Sequence, residues 1–225
     1  MFVKICGITN EEDALLSVAL GADAVGFIFA PSTRQVASGA VARITARLPG
    51  EILTIGVFRD SLPERVIEVA TAAGVKGVQL HGSETPEQIA IIRPHVHFLI
   101  KAFAAGSPML DRAGEYEADA LLVDAPTPGS GQVFDWRILE GVPRTNRLIL
   151  AGGLDPDNVA EAIARVQPWG VDVNSGVEAS ERHKDHRKLR AFLLAARRAE
   201  AEIADREESA RSPGTSALYD WEEDE

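Results

Sequence analysis

The sequence predicts a protein of the α/β class, a single (β/α)8 TIM barrel, from three observations. Eight short apolar runs recur along 225 residues, and most are separated by an amphipathic helical pattern. Several runs follow a small residue of the kind that closes a helix, as at Gly21 and Gly74. Eight alternating strands and helices in a chain of this length close most simply into one barrel.

The predicted strands are short runs rich in β-branched and other apolar residues. They cover residues 2–6, 23–29, 52–58, 76–81, 96–101, 119–124, 147–151 and 170–174. A doubly wound open sheet is the alternative arrangement. The turn after the first strand, Gly7-Ile8-Thr9-Asn10, lacks the glycine-rich dinucleotide-binding pattern of that fold, so the barrel is favoured.

The predicted helices are amphipathic, and some carry clear start signals. They cover residues 11–20, 38–48, 63–73, 85–92, 156–166 and 185–204. Thr85-Pro86 and Asp155-Pro156 each place a proline behind a capping residue. Two weaker patterns, at 107–114 and 135–139, predict short helices. We expect the catalytic barrel domain to span residues 1–198, and 199–225 to form a helical extension running into a flexible, disordered acidic tail.

The composition excludes several classes of protein. The net charge of −11 argues against binding along a nucleic-acid backbone, although a small phosphate ligand stays compatible with it. The single cysteine excludes an internal disulfide and a cysteine-rich metal site. The chain enters a strand without a basic and apolar leader, and no apolar run approaches membrane-spanning length. We therefore expect a cytoplasmic protein with no nucleic-acid or membrane partner, either a monomer or a homodimer.

In a barrel of this kind the active site lies at the carboxyl ends of the strands. Alternation along the strands puts Lys4 and Cys6 on one face. If Val3 and Val123 pack under the outer helices, Cys6 and Asp124 point into the barrel mouth. Their strands, the first and the sixth, are three strands apart around the ring of eight. A thiol and a carboxyl group on opposite sides of a small molecule suit proton removal and proton donation. The alternatives are an ordinary core cysteine and a carboxylate that caps the loop at 129–131.

Glycines after the last two strands predict a phosphate site. Gly152 and Gly153 follow strand seven, and Ser175 and Gly176 follow strand eight. Loops at these positions leave backbone N–H groups open, and they form the recurrent phosphate site of this barrel. Tight turns without a ligand are the alternative. Arg34, in a polar loop after strand two, could pair with a ligand carboxylate or simply be solvated. His81, before a glycine after strand four, is placed at the rim.

Nine motifs in chain order carry a family resemblance. They are KICGIT at 4–9, GADAVGF at 21–27, STR at 32–34, GVF at 56–58, VQLHG at 78–82, LVD at 122–124, GSGQVFDW at 129–136, AGGL at 151–154 and VDVNSGVE at 171–178. Together they resemble phosphoribosylanthranilate isomerase of tryptophan biosynthesis, from residue 2 to about 197. The first and last motifs are the specific ones. The family is a single (β/α)8 barrel, as the count of strands predicts.

The resemblance implies an Amadori rearrangement of a phosphorylated aminoaldose to an aminoketose, with no cofactor and no metal. By the family pattern, Asp124 would be the general acid and Cys6 the general base. Arg34 matches the arginine on the anthranilate side, and Gly153 with Ser175 and Gly176 matches the phosphate cradle. A thiol needs a lowered pKa or an unusually acidic substrate proton to act as a base. The substrate iminium would supply the second, and we expect Lys4 to help with the first.

The chain departs from the family pattern at few positions. His183 stands where the family often has glycine, and the loop at 125–128 is stiffened by two prolines. A sugar-phosphate epimerase would need metal-ligating histidines and acids at strand ends, where only His81 is available. An indole-glycerol-phosphate synthase would use a lysine as its acid, and Lys101 at the end of strand five keeps that alternative open. A catalytically silent sensor of a phosphorylated ligand is the third alternative.

Overall fold

The computed structural model describes residues 1–126, 135–136 and 147–211. Within these residues eight parallel strands pair in chain order, and β8 pairs with β1, so the sheet closes into a barrel. Helices connect the successive strands around the outside, apart from the span between β6 and β7, most of which lies outside the described residues. The predicted (β/α)8 barrel is therefore confirmed. None of the helices in the described ranges is long and apolar enough to cross a membrane.

The strands agree with the predicted runs to within three residues at either end. They are β1 Phe2–Ile5, β2 Ala24–Ile28, β3 Leu53–Phe58, β4 Gly77–Leu80, β5 Phe98–Ala104, β6 Ala120–Asp124, β7 Arg147–Leu150 and β8 Gly170–Val173. A small hairpin of β9 Glu178–Ser180 and β10 His183–Lys184 follows β8. The fifth strand continues to Ala104, where its last residue pairs with Asp124. Lys101 thus lies inside β5, and its predicted place at the strand end is wrong.

The helices form where the start and stop signals predict them. They are α1 Glu11–Ala19, α2 Ser38–Thr45, α3 Pro63–Ala73, α4 Pro86–Ile92, α5 Val159–Val166 and α6 His186–Arg211. Helix α1 begins after Asn10, whose Oδ1 accepts from the Asp13 N–H at 2.8 Å. Helix α5 begins three residues later than predicted, because Asp155 Oδ1 accepts from the N–H groups of Asp157 and Asn158 and holds a turn there.

Between β5 and β6 the connection is a short 3-10 helix, Pro108–Glu115, as the weak pattern predicts. Of the second weak pattern only Asp135 and Trp136 are described, so that prediction lies outside the described residues. The acidic end of the chain, 212–225, lies outside them as well. Helix α6 runs past residue 198 without a break. Beyond that point Ala199 is buried and Ile203 packs against the core.

The barrel has two apolar layers. One lies between the strands and the outer helices and includes Val3 and Val123. The other fills the barrel interior and includes Cys6, Ile100 and Leu122. These two sets follow from the alternation of side chains along each strand. Stacked rings of Phe2, Phe98 and Trp169 lie at the amino-terminal ends of the strands, so the open end of the barrel is the carboxyl end.

Candidate active site

A cavity of about 430 Å³ lies at the carboxyl ends of the strands. The seven residues that the sequence analysis proposes as acid, base or ligand-binding groups of the isomerase all line it: Cys6, Arg34, Asp124, Gly152, Gly153, Ser175 and Gly176. They come from five strands that are far apart in the sequence. Closure of the barrel is what brings them around one space.

Cys6 follows β1 and is 5% exposed, so its thiol reaches the cavity but is mostly enclosed. Lys4, two residues before Cys6, also faces the barrel interior and is fully buried. Its Nζ is 2.9 Å from Asp172 Oδ1. Gly26 on the neighbouring strand makes room for both groups. A Cβ there would lie 2.9 Å from Cys6 Sγ and 3.2 Å from Lys4 Nζ. Thiol, ammonium and carboxylate thus form one compact cluster.

Lys4 lowers the pKa of the Cys6 thiol, as expected, but burial and a nearby carboxylate together raise that pKa by more. Burial raises the pKa of Cys6, Lys4 lowers it, and the Asp172 carboxylate raises it again, so the pKa ends above its ordinary value. Burial works against the ammonium of Lys4, yet Asp172 and then Cys6 raise the pKa of Lys4. Lys4 therefore stays charged. Asp172 acts against its influence on the thiol, and sequence reasoning missed that carboxylate.

Asp124 ends β6 and borders the cavity with one oxygen held in place. Its Oδ1 accepts from the Ala125 N–H at 2.7 Å, which leaves Oδ2 for other partners. Gly152, just after the next strand, β7, lies tight against this arrangement. A Cβ on Gly152 would be 2.4 Å from the Ala125 nitrogen and 2.9 Å from Asp124 Oδ1, and its φ of +85° also favours glycine. The alternative role for Asp124, capping the 129–131 loop, lies outside the described residues.

His81 is not a detached rim residue, because it lies beside the carboxyl group of Asp124. Its Nε2 is 3.4 Å from Asp124 Oδ2, and its Nδ1 is 3.0 Å from the amide nitrogen of Gln79. Both His81 and Gln79 line the cavity. A period-two pattern in Gln79-Leu80-His81 could have indicated this, since it places the glutamine and the histidine on the inward face.

Arg34 is held by a buried carboxylate. Its Nε and Nη2 donate to the two oxygens of Glu178 at 2.7 and 2.6 Å, and Lys184 Nζ lies 3.3 Å from the same side chain. Burial would raise the pKa of Glu178, but the hydrogen bonds from Arg34 and the charge of Lys184 lower it below its ordinary value. The β9–β10 hairpin carries Glu178 and Lys184. Neither residue was singled out in the sequence.

The four residues after β7 and β8 form another part of the cavity wall. Gly176 packs so closely that a Cβ would lie 1.9 Å from the Leu154 carbonyl oxygen. Gly152 and Gly153 both have positive φ. Their two N–H groups donate to no acceptor within the described ranges. Open backbone donors of this kind are what an anionic group needs.

Lys101, the alternative acid, is directed away from the cavity. Its Nζ donates to the Gly82 carbonyl oxygen at 2.6 Å and lies 2.8 Å from Glu84 Oε2, under the outer layer beside Phe103. A lysine acid at this position is therefore excluded by its orientation. Among the described residues, no cluster of three or more histidine, cysteine or acidic side chains could hold a metal ion.

The closed barrel and the titratable side chains around a cavity at its carboxyl ends define a (β/α)8-barrel enzyme. The family model described as "N-(5'phosphoribosyl)anthranilate (PRA) isomerase" matches residues 3–195. The chain belongs to this family.

Relatives in the family are similar over nearly their whole length. An N-(5'-phosphoribosyl)anthranilate isomerase of Desulforudis audaxviator is 47% identical over 204 residues, covering 88% of this chain and 98% of the relative. One from Thermotoga maritima is 44% identical over 197 residues, covering 85% and 96%.

Solved structures give the same result. The phosphoribosyl anthranilate isomerase of Thermus thermophilus is 40% identical, with a TM-score of 0.81 over 90% of this chain and 100% of that one. Another was solved in complex with reduced 1-(o-carboxyphenylamino)-1-deoxyribulose 5-phosphate. It is 42% identical, with a TM-score of 0.79 over 88% of this chain and 98% of that one.

Proposed function

We propose that the protein converts N-(5'-phosphoribosyl)anthranilate into 1-(2-carboxyphenylamino)-1-deoxyribulose 5-phosphate, an Amadori rearrangement in the biosynthesis of tryptophan. The single observation that carries this proposal is that Cys6 and Asp124, the only thiol and an acid three strands away, line the same cavity. Membership of the isomerase family supports it. Substrate and product have the same composition, so the reaction needs proton transfers and no external oxidant or reductant.

Asp124 acts first, as the general acid. Its carboxyl proton goes to the ring oxygen of the ribose as the bond from that oxygen to C1' breaks. The lone pair of the anthranilate nitrogen then forms a C=N bond to C1', which gives an open-chain iminium ion. Asp124 is left as a carboxylate, and the Ala125 N–H on its Oδ1 helps to stabilise that charge.

Cys6 acts second, as the general base. It takes the proton from C2', and the electrons of that C–H bond form a C=C bond to C1' while the C=N electrons move to nitrogen. The resulting enolamine gains a proton at C1' and loses its hydroxyl proton to become the ketone. Burial raises the pKa of the thiol, so the acidity that the iminium gives to C2' is needed for this step.

The remaining wall residues bind the two ends of the substrate. The open N–H groups at Gly152 and Gly153, with Ser175 and Gly176 close to them, suit the 5'-phosphate. Arg34 also lines the cavity, where a carboxylate on the anthranilate ring would meet its guanidinium. The ligand is thus held at both ends, with the reacting carbons between Cys6 and Asp124. We place the enzyme in the cytoplasm, with this small phosphorylated substrate as its partner.

The test mixes the purified chain with freshly generated phosphoribosylanthranilate and follows the loss of anthranilate fluorescence. We expect saturable turnover that depends on the amount of protein. A double variant, Cys6→Ala with Asp124→Asn, is the control, since it removes both proton-transferring groups. Binding of the phosphorylated product without any turnover by the unaltered chain would instead establish a sensor of phosphorylated ligands.

A further inference from the structure

Gln79 is a buried carboxamide in the wall of an otherwise apolar part of the barrel interior. It is 1% exposed, and its register partners on the two adjoining strands are Val57 and Ile100, both apolar. A buried polar group without a hydrogen-bond partner destabilises the fold, so an apolar residue here would be the more stable choice. The carboxamide therefore calls for an explanation beyond packing.

Within the described residues, this carboxamide has one hydrogen-bond partner, the imidazole of His81. The amide nitrogen lies 3.0 Å from His81 Nδ1, and Gln79 Oε1 has no partner in the described part of the chain. An amide nitrogen can only donate, so Nδ1 must accept, and a neutral imidazole then carries its proton on Nε2. In this orientation one amide N–H and Oε1 lack partners among the described residues, whereas the opposite orientation would leave both N–H donors without acceptors. Orphaned buried donors are rarer than orphaned buried oxygens, which favours the first orientation.

The proton fixed in this way faces the proposed acid. His81 Nε2 is buried, makes no hydrogen bond within the described residues, and lies 3.4 Å from Asp124 Oδ2. The other oxygen, Oδ1, already accepts from the Ala125 N–H. A proton on Nε2 would therefore give the second carboxylate oxygen, Oδ2, a hydrogen-bond donor as well. The contact is slightly long, as unliganded catalytic hydrogen bonds often are.

We propose that Gln79 is a positioning residue that fixes the Nε2–H tautomer of His81, so that the imidazole donates to Asp124 when its carboxylate forms. This inference rests on the proposed acid role of Asp124. No proton leaves His81 in this step. Asp124 gives its proton to the ring oxygen, and the neutral imidazole stabilises the negative charge left behind by one additional hydrogen bond.

The direct test is a measurement on the unaltered protein. Long-range proton–nitrogen NMR spectra of the 15N-labelled protein at pH 8, where an ordinary imidazole is neutral, report which ring nitrogen carries the proton. The His81 signals are assigned by their loss in His81→Asn. We expect a protonated Nε2 and an unprotonated Nδ1. A proton on Nδ1 in the unaltered protein would overturn the inference while leaving the proposed function intact.

Two variants then connect the tautomer to the rate. Gln79→Glu presents only acceptors to Nδ1, so we expect the proton to move there and kcat to fall about tenfold, with KM within about twofold. Gln79→Met removes the donor at similar size, and we expect a mixture of tautomers and an intermediate kcat. Ile149→Val, an interior substitution on the opposite side of the barrel, is the matched control and should change neither.

A Gln79→Glu variant with the unaltered tautomer, or with a shifted tautomer and the full kcat, would contradict the positioning role. If Asp124→Asn kept its turnover, the proposed function would fail instead, whatever the spectra showed. The two ideas are therefore tested by separate measurements.

Discussion

The Nζ atom of Lys4 lies 2.9 Å from Oδ1 of Asp172, inside the barrel and one inward position before the thiol of Cys6. The lysine is fully buried and the aspartate is 8% exposed. A buried pair of this kind is expensive to desolvate, and removing one partner leaves the other charge uncompensated. Its place beside the proposed base indicates that the pair controls the charge around the thiol.

Lys4→Met should make the thiol a poorer base at neutral pH. Lys4 lowers the pKa of Cys6 against the larger effect of burial, so its removal moves that pKa further up. Because the base must be deprotonated, kcat/KM should fall at least about tenfold at neutral pH and recover in part as the pH rises. The ultraviolet absorbance of the thiolate gives the pKa directly, since Cys6 is the single cysteine.

The matched control for Lys4 is the double variant Lys4→Met with Asp172→Asn, which removes both charges. Its thiol should have a pKa between those of the unaltered protein and the single variant, because Asp172 raises the thiol pKa and Lys4 lowers it. An identical thiol pKa in all three proteins would show that the pair has only a structural role.

Cys6→Ser should lose about three orders of magnitude or more in kcat while the substrate still binds. A neutral serine hydroxyl is a much weaker base than a thiolate. The substitution also leaves the shape of the cavity nearly unchanged. The fluorescence assay supplies kcat and KM together. A near-normal rate in this variant would mean that another group removes the C2' proton.

Asp124→Asn should abolish turnover while the affinity for product stays within about tenfold. The amide keeps the size of the side chain and can still accept from the Ala125 N–H, but it has no proton to give to the ring oxygen. Calorimetric binding of the reduced product analogue measures the affinity. Unchanged turnover would exclude the acid role.

Glu178→Gln should raise KM about tenfold with a smaller effect on kcat. The carboxylate holds Arg34 by two hydrogen bonds at 2.6 and 2.7 Å, and without it the arginine loses its fixed place at the cavity. Glu181→Gln is the matched control, since Glu181 also lines the cavity but makes no hydrogen bond to Arg34. Equal KM values in both variants would contradict the positioning of Arg34 by Glu178.

The same contact predicts a pH dependence of stability. The folded-state pKa of Glu178 lies below its ordinary value of 4.5, so the contact stabilises the fold above that pH and the gain is lost as the pH falls through the lowered pKa. The free energy of unfolding should therefore decrease less on acidification below pH 4.5 in Glu178→Gln than in the unaltered protein. Urea unfolding at a series of pH values measures this difference.

Two truncations should distinguish the contribution of the end of helix α6 to stability from that of the residues after it. Removing residues 212–225 should leave the rate unchanged, because no proposed site residue lies there. Removing everything after residue 198 should lower the free energy of unfolding by about 1–3 kcal/mol, since it deletes the buried Ala199, the packed Ile203 and the contact of Glu200 with the amino terminus. Thermal unfolding of both truncations tests this prediction. A strong loss of rate in the shorter truncation would mean that the tail takes part in the reaction.

The site could be predicted in part from the sequence, and the reason differs from residue to residue. Cys6 and Asp124 end apolar runs, and strand alternation gives them an inward direction without any knowledge of distant contacts. Gln79 and His81 face inward by the same rule. A single histidine before a glycine, however, does not indicate that it lies beside Asp124 on β6. The distance of 3.4 Å to Asp124 depends on the pairing of β4, β5 and β6.

The sequence by itself determined the eight alternating units, the barrel they form and the strand ends that carry polar groups, because periodicity and capping are local properties of the chain. Only the tertiary structure decided which buried charges meet. Lys4 pairs with Asp172 across 168 residues, and Arg34 with Glu178 across 144. Lys101 lies inside β5 because the strand continues to Ala104, and alternation puts it on the outer face with Leu99 and Phe103. Electrostatic effects act through space, so the pKa of the thiol depends on neighbours that no local pattern contains.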